Sequence, residues 1–324
     1  MVRFIVRRTL SAIPVFVIGS LILFLVIRSI RDPVAAARHN HVSADALLKF
    51  KHDLGLDRSW FAQYWQFISH FVRGDMGTSF TSQGAVWPSL RSALANSLVL
   101  AGFSAVFYIT FGVLVGIVSA VKQYSWFDHS ATTLSFLGLS LPPQVFGLLL
   151  VFGAGSFWIN HTSASGPLLP ITGLFAAGSS GFNLFDRVRH LILPALTLSV
   201  QEVAIYSRYM RTSMLENLNA DYLRTARAKG ISERRVIFRH AFRNALIPLT
   251  TIAAIDLGAL AGGLIITEQI FQYPGMGLYF LDALHSADYP QLLSWSMVVI
   301  TFVVVFNVLA DVSYAFLDPR IRLD

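Results

Sequence analysis

The chain has no cysteine among its 324 residues. Disulfides and thiol chemistry are therefore excluded. Charge is also scarce: Asp, Glu, Lys and Arg make up 13% of the chain, against roughly 25% in an average soluble domain. There is no G-x-x-x-x-G-K-[ST] segment, so no phosphate cradle for ATP, and no H-E-x-x-H zinc motif. His39, His41, His52 and His70 are scattered through one polar segment, and His161 and His190 fall at the ends of another. None of these follows metal-ligand spacing. Ser140, in GLSLPP, has no histidine inside an apolar run to activate it, which removes the main route to an intramembrane serine hydrolase.

What the chain does have is apolar length, with 54% of its residues hydrophobic. Residues 10–27, 93–121, 130–160 and 291–310 are free of charge. Each is near or above the roughly 18 to 20 residues that cross a bilayer as a helix. Two further runs, 191–207 and 245–266, are interrupted by one acid each, Glu202 and Asp256. Together they predict an all-α polytopic membrane protein with six spans. The first run follows a basic start and precedes Ala35-Ala36-Ala37, a pattern that a signal peptide shares. Signal cores usually take about 7 to 15 residues, so this longer run reads as a retained helix.

Six spans put both termini on one side. Arg3, Arg7, Arg8, Lys122, Arg320, Arg322 and the basic residues of 208–243 all fall there, while 271–290 has no Lys or Arg. The excess of positive charge marks that side as cytoplasmic. The reading divides the chain into an N-terminus with the first span (1–30), an external segment (31–92), a five-helix core (93–317) and a cytoplasmic tail (318–324). In the external segment, Trp60, Tyr64, Phe67 and Phe71 recur at helical spacing and predict short amphipathic helices near the outer interface. Residues 161–189 are rich in Gly and Ser and read as an external loop.

One basic stretch stands out, DYLRTARAKGISERRVIFRHAFRNALIP at 221–248. Asp221 to Lys229 suit a short helix, which Gly230 ends by accepting positive φ. Ser232 suits the N-cap of a second helix, with Glu233 in its first turn. Val236, Ile237, His240 and Ala241 then share one face, and Arg235, Arg239 and Arg243 another. The result is a helix–turn–helix along the membrane surface. Tethering by spans at both ends disfavours reading of nucleic acid. Contact with anionic lipid accounts for the charge. It leaves the Ala-x-Ala-x-Gly turn and the aromatics Tyr222 and Phe238 unaccounted for, and these suit a groove on a protein partner.

TARAKG followed by ERRVIFRHAFRNALIP resembles the EAA loop of bacterial ABC importer permeases of the dipeptide and oligopeptide type. RRTLSAIPVF, LGLD, GDMGTSF, LILPALTLS, YPGMG, DYPQ and DPRIR resemble further segments of that family in the same order. Thr225-Ala226-Arg227 stands where the loop's name would have Glu-Ala-Ala, and IRDP where PGDP is expected. The resemblance implies a type I ABC importer permease fold in the bacterial cytoplasmic membrane. It implies a cytoplasmic coupling loop (214–244) that docks on an ATPase subunit through Tyr222, Thr225, Ala226, Arg227, Ala228, Lys229, Gly230 and Arg234. Its implied partners are a second homologous permease, two ATPase subunits that bind ATP and Mg, an extracytoplasmic peptide-binding protein, and membrane lipid, with no nucleic acid and no cofactor in this chain. Asp256 and Gly262 are candidates to line the path. Gly258, Ala259, Gly262 and Gly263 form a small-residue face suited to close helix packing. Two alternatives stay open: a permease for another small solute such as a nickel complex, and an ion-coupled transporter using Glu202, Asp256 and Asp311.

Overall fold

The computed structural model describes residues 2–30, 52, 58–161, 169–175, 183–259 and 264–317. These form α1 (Val2–Ile30), α2 (Trp60–Val72), α3 (Val86–Val121), α4 (Trp126–Ser140), α5 (Pro143–His161), α6 (Leu184–Leu218), α7 (Asp221–Ala228), α8 (Glu233–Arg235), a π-helical stretch (Val236–Ala241), α9 (Phe242–Ala259), α10 (Ile265–Ile270), α11 (Met276–His285) and α12 (Tyr289–Leu317). The β pairing among the described residues is one isolated bridge, Thr78 with Ala85. The all-α expectation holds. LGLD, DPRIR, the tail 318–324 and the residues Gly262 and Gly263 lie outside the described residues.

Four helical segments are long and apolar enough to span a membrane: Ile5–Ser29, Val86–Val121, Leu184–Leu218 and Tyr289–Leu309. A fifth candidate is α4 with the first part of α5, bent by 99°. This corrects the expectation of one straight span over 130–160. The cause is Pro142-Pro143. A residue before proline is pushed out of the α region, and Leu141 is extended at φ −89°, ψ 114°. Pro143 then opens α5 at the first helical position, where its missing N–H costs nothing. The bend strands carbonyls, and Gln201 of α6 answers them, its Nε2 donating to Leu141 O at 3.1 Å and Leu139 O at 3.4 Å. The acid-bearing run 245–266 is helical over its described residues up to Ala259, and residues 260–263 lie outside the described residues. The basic segment 208–243 is not all loop either: α6 carries on to Leu218.

The chain divides into two units. The first comprises residues Met1–Asn96, Gly258–Ile265 and Gly275–Asp324. Within it α1 runs beside α12, with Arg8 Nε 3.3 Å from Asp311 Oδ2. The aromatic spacing of 60–71 becomes α2. Its Tyr64 is buried edge-on to Phe24 of α1, ring centroids 5.6 Å apart, and its hydroxyl lies 2.8 Å from Ser20 Oγ. Asp288 is fully buried and holds the GDMGTSF segment. Its Oδ2 accepts from Ser79 Oγ at 2.6 Å and from Thr81 N at 3.1 Å.

The second unit comprises Ser97–Leu257 and Ile266–Pro274. Here α3 meets α6 backbone to backbone. A Cβ on Gly112 would lie 2.6 Å from Tyr206 Cβ, and one on Gly116 would lie 2.6 Å from both Met210 Cβ and Ser207 O. The four-residue spacing puts both glycines on one face, as in close-packed membrane helices. Asp128, at the start of α4, is nearly fully buried. Its carboxylate takes a two-pronged bond from Arg211 of α6, Nε to Oδ1 at 2.7 Å and Nη2 to Oδ2 at 2.8 Å. Ser119 Oγ and the Tyr124 N–H also donate to it.

Candidate docking turn and intramembrane carboxylate

The 221–248 segment folds much as its residues dictate. α7 closes in a Schellman motif: Ile231 N donates to Ala226 O at 3.3 Å and Gly230 N to Arg227 O at 2.9 Å. Gly230 sits at φ +76°, with nothing within 4 Å of where a Cβ would stand. Its glycine is required by backbone conformation, not by space. Ser232 takes the N-cap position, although its side chain makes no capping bond. The second helix then differs from expectation. It passes through the π-helical stretch and on into α9 without a break. Val236 and Ala241 are both fully buried. Five residues apart, they would diverge by roughly 140° on an α-helix; the wider turn of a π stretch brings them onto one side. Ala245 and Leu249 continue that buried line at four-residue spacing.

The turn has two faces. Leu223 and Ala226 point into the chain's own core with Met210, Met214 and Val236. Ala226, expected among the docking residues, therefore anchors the turn from below. Tyr222, Thr225, Arg227, Ala228, Lys229, Gly230 and Arg234 are exposed. Two of them also brace the turn. Arg227 grips Glu233 with Nε to Oε2 at 3.1 Å and Nη2 to Oε1 at 2.9 Å, and reaches Leu218 O at 3.4 Å. The guanidinium holds the Glu233 carboxyl below its ordinary pKa. Tyr222 donates to Asn217 Oδ1 at 2.8 Å and accepts from Asn244 Nδ2 at 3.0 Å. The tips left for a partner are Thr225, Ala228, Lys229, Gly230 and Arg234.

Asp256 lies on α9, half-buried, and its Oδ2 accepts from the fully buried Tyr206 hydroxyl at 2.7 Å. The Tyr206 ring packs on Tyr108, centroids 5.1 Å apart. Glu202 stands one turn before Tyr206 on α6, also half-buried. Asp311, the third candidate coupling acid, is taken by Arg8. Among the described residues no group of three or more His, Asp or Glu could hold a metal ion. Sequence reasoning missed Asp128, Arg211, Gln201 and Asp288. Asp128 and Asp288 had one local cue, acids beside apolar runs, but their partners lie far off in the chain.

Several helices long and apolar enough to span a membrane, together with an exposed, internally braced basic turn, mark a multi-pass membrane protein. Comparison with known families places it further. Residues 112–323 match the model described as "Binding-protein-dependent transport system inner membrane component", and residues 1–110 match its N-terminal companion. The chain belongs to this family. It is similar to the oligopeptide transport system permease protein AppB of Bacillus subtilis, 36% identical over 326 residues, covering 99% of this chain and 100% of that one. The di/tripeptide transport system permease protein DppB of Pseudomonas aeruginosa is 37% identical over 334 residues, covering 99% of each. The dipeptide transport system permease protein DppB of Escherichia coli K12 is 36% identical over 338 residues, again covering 99% of each. The protein is thus a permease subunit of the inner membrane with the all-α, type I ABC importer permease fold.

Proposed function

We propose that this chain is one of two permease subunits of an ATP-driven importer of dipeptides or oligopeptides, and that its 221–248 turn docks on a cytoplasmic ATPase subunit. A second, homologous permease completes the translocation path. Two ATPase subunits bind ATP and Mg and hydrolyse it; an extracytoplasmic binding protein delivers the peptide. Both termini lie on the basic, cytoplasmic side with the turn. Asp256 and Gly262 line the path, where the Asp256 carboxylate meets the peptide's amino end. The observation that carries the reading is the two-faced turn. Leu223 and Ala226 lock it to the permease core, so a push on its exposed tip moves α6 and α9 together instead of bending a loose loop.

The test uses the assembled transporter in liposomes. Gly230→Pro forces φ to about −65° and removes the N–H that closes the turn; ATP hydrolysis should continue while uptake falls. Lys229→Glu with Arg234→Glu leaves the fold alone and alters the exposed tip, and should weaken ATPase association. Normal coupled uptake in both variants refutes docking at this turn. Uptake driven by a proton gradient without ATP would point instead to an ion-coupled carrier.

A further inference from the structure

In the second unit α6 has a polar exposed face where its neighbour α3 has an apolar one. Between Gln201 and Glu216 the exposed residues of α6 are Arg208, Tyr209, Thr212 and Glu216, and their spacing puts all four on one side of the helix. α3 packs on α6 through Gly112 and Gly116. Between Phe111 and Val121 its exposed residues are Phe111, Leu114, Val118 and Val121. The exposed side of α3 suits lipid. Charged groups inside a bilayer instead face water or protein.

Two contacts gauge the depth of Arg208 from the turn that joins α3 to α4. A Cβ on Gly112 would meet Tyr206, and one on Gly116 would meet Met210. Arg208 is therefore level with the middle of that interval, about 10 Å from the end of α3 at Val121. Its guanidinium carbon lies 4.6 Å from the ring centroid of Phe136, about 15 Å along α4 from Trp126. The guanidinium thus reaches inward along α4, and not back toward the headgroups. Among the described residues no carboxylate pairs with Arg208; Asp128, at the start of α4, is already held by Arg211. With Leu139, Ile205, Tyr209 and Thr212, Arg208 walls a depression of about 340 Å³.

We propose that this face of α6 lines the translocation path and that Arg208 receives the C-terminal carboxylate of the peptide in transit. The inference rests on the peptide-import reading above and is independent of Asp256. Contact with the Phe136 ring steadies the guanidinium without using its N–H donors, whose fork fits a planar carboxylate in a two-pronged bond. A lipid phosphate stays in the headgroup layer, above the level of this cation. A peptide in a water-filled path passes it.

The assembled transporter in liposomes, with its binding protein and ATP, is given peptide pairs that differ only in a free or amidated C-terminus. Only pairs that the binding protein captures equally well are compared. The wild type should import the free acid about tenfold faster than the amide, and Arg208→Gln should shrink that ratio to about twofold or less with ATP hydrolysis intact. Arg208→Lys should keep part of it. Arg208→Cys, in a complex otherwise free of cysteine, gives a second readout. It should react with water-soluble methanethiosulfonates; one carrying an ammonium group should restore the preference for the free acid, and one carrying a sulfonate should not. Equal import of acid and amide by the wild type overturns the proposal and leaves peptide import standing. So does a preference that survives Arg208→Gln. A wild type that imports neither peptide overturns the import reading and this proposal with it. A thiol at position 208 that reacts only with a lipid-soluble maleimide places the residue against lipid and also overturns the proposal.

Discussion

Breaking the Asp128–Arg211 pair should destabilise the permease in a way that depends on which partner is removed. Asp128 has a side chain 3% exposed and Arg211 one 26% exposed. Asp128→Ala leaves Arg211 partly buried without its anion and leaves the Ser119 hydroxyl and Tyr124 N–H without their acceptor. Losing one partner of a buried pair costs about 3 to 5 kcal/mol. Because Arg211 keeps some water, the lower end, about 3 kcal/mol, is expected. Asp128→Asn keeps an acceptor for Ser119 or Tyr124 and loses the charge, and should cost about 1 to 2 kcal/mol. Removing both partners with Asp128→Ala and Arg211→Ala should cost little more than Asp128→Ala alone, so the coupling equals the cost of Arg211→Ala by itself, about 3 kcal/mol or more because the nearly buried Asp128 is then left unpaired. The assay is reversible unfolding in mixed detergent micelles, read by tryptophan fluorescence. Additive effects below about 1 kcal/mol each would refute the claim that this pair clamps α4 to α6.

Two further predictions follow from the turn and the intramembrane acid. Glu233 is held below its ordinary pKa by Arg227, so its contribution is present above about pH 4.5 and is lost as pH falls through the lower folded-state value. Both side chains are exposed, so the effect is small: at pH 6, Glu233→Gln should lower hydrogen-exchange protection at Gly230 and Ile231 by about twofold, a difference that shrinks as pH falls through the lowered value. Equal protection at pH 6 would show that the pair does not brace the turn. Asp256→Asn keeps an acceptor for the Tyr206 hydroxyl and removes the charge. Uptake of peptides with a free amino end should fall while N-acetylated peptides, assembly and basal ATPase activity are spared; unchanged uptake would leave Asp256 a packing residue.

Much of this molecule is legible in its sequence because its signals are local. The uncharged runs mark α1, α3 and α12, the aromatic spacing marks α2, and Asp221, Gly230 and Ser232 bound the turn where the structure has them. Pro142-Pro143 carried a local signal for the bend, which the length of the surrounding apolar run masked. The rest depended on distant partners. Asp128 meets Arg211 83 positions away, and nothing beside either residue announces the other. Gln201 matters only because the bend strands the carbonyls it reaches. Ala226 looked like a surface residue in a basic segment; the register of α7 against Met210 and Met214 turned it inward. The π stretch likewise answers a packing demand, the burial of both Val236 and Ala241, and not a local propensity.

The absence of cysteine makes the docking claim directly measurable. Ala228→Cys places a single thiol in this chain at the exposed tip of the turn, and Ser82→Cys places one at an exposed position on the other unit. Each is treated with a short bifunctional crosslinker in the assembled, membrane-embedded transporter. Docking at the turn predicts that Ala228→Cys captures an ATPase subunit, that the yield changes between nucleotide-free and ATP-bound states, and that Ser82→Cys captures none. An ATPase subunit that stays bound in the complex yet never crosslinks to position 228 would contradict docking at the turn.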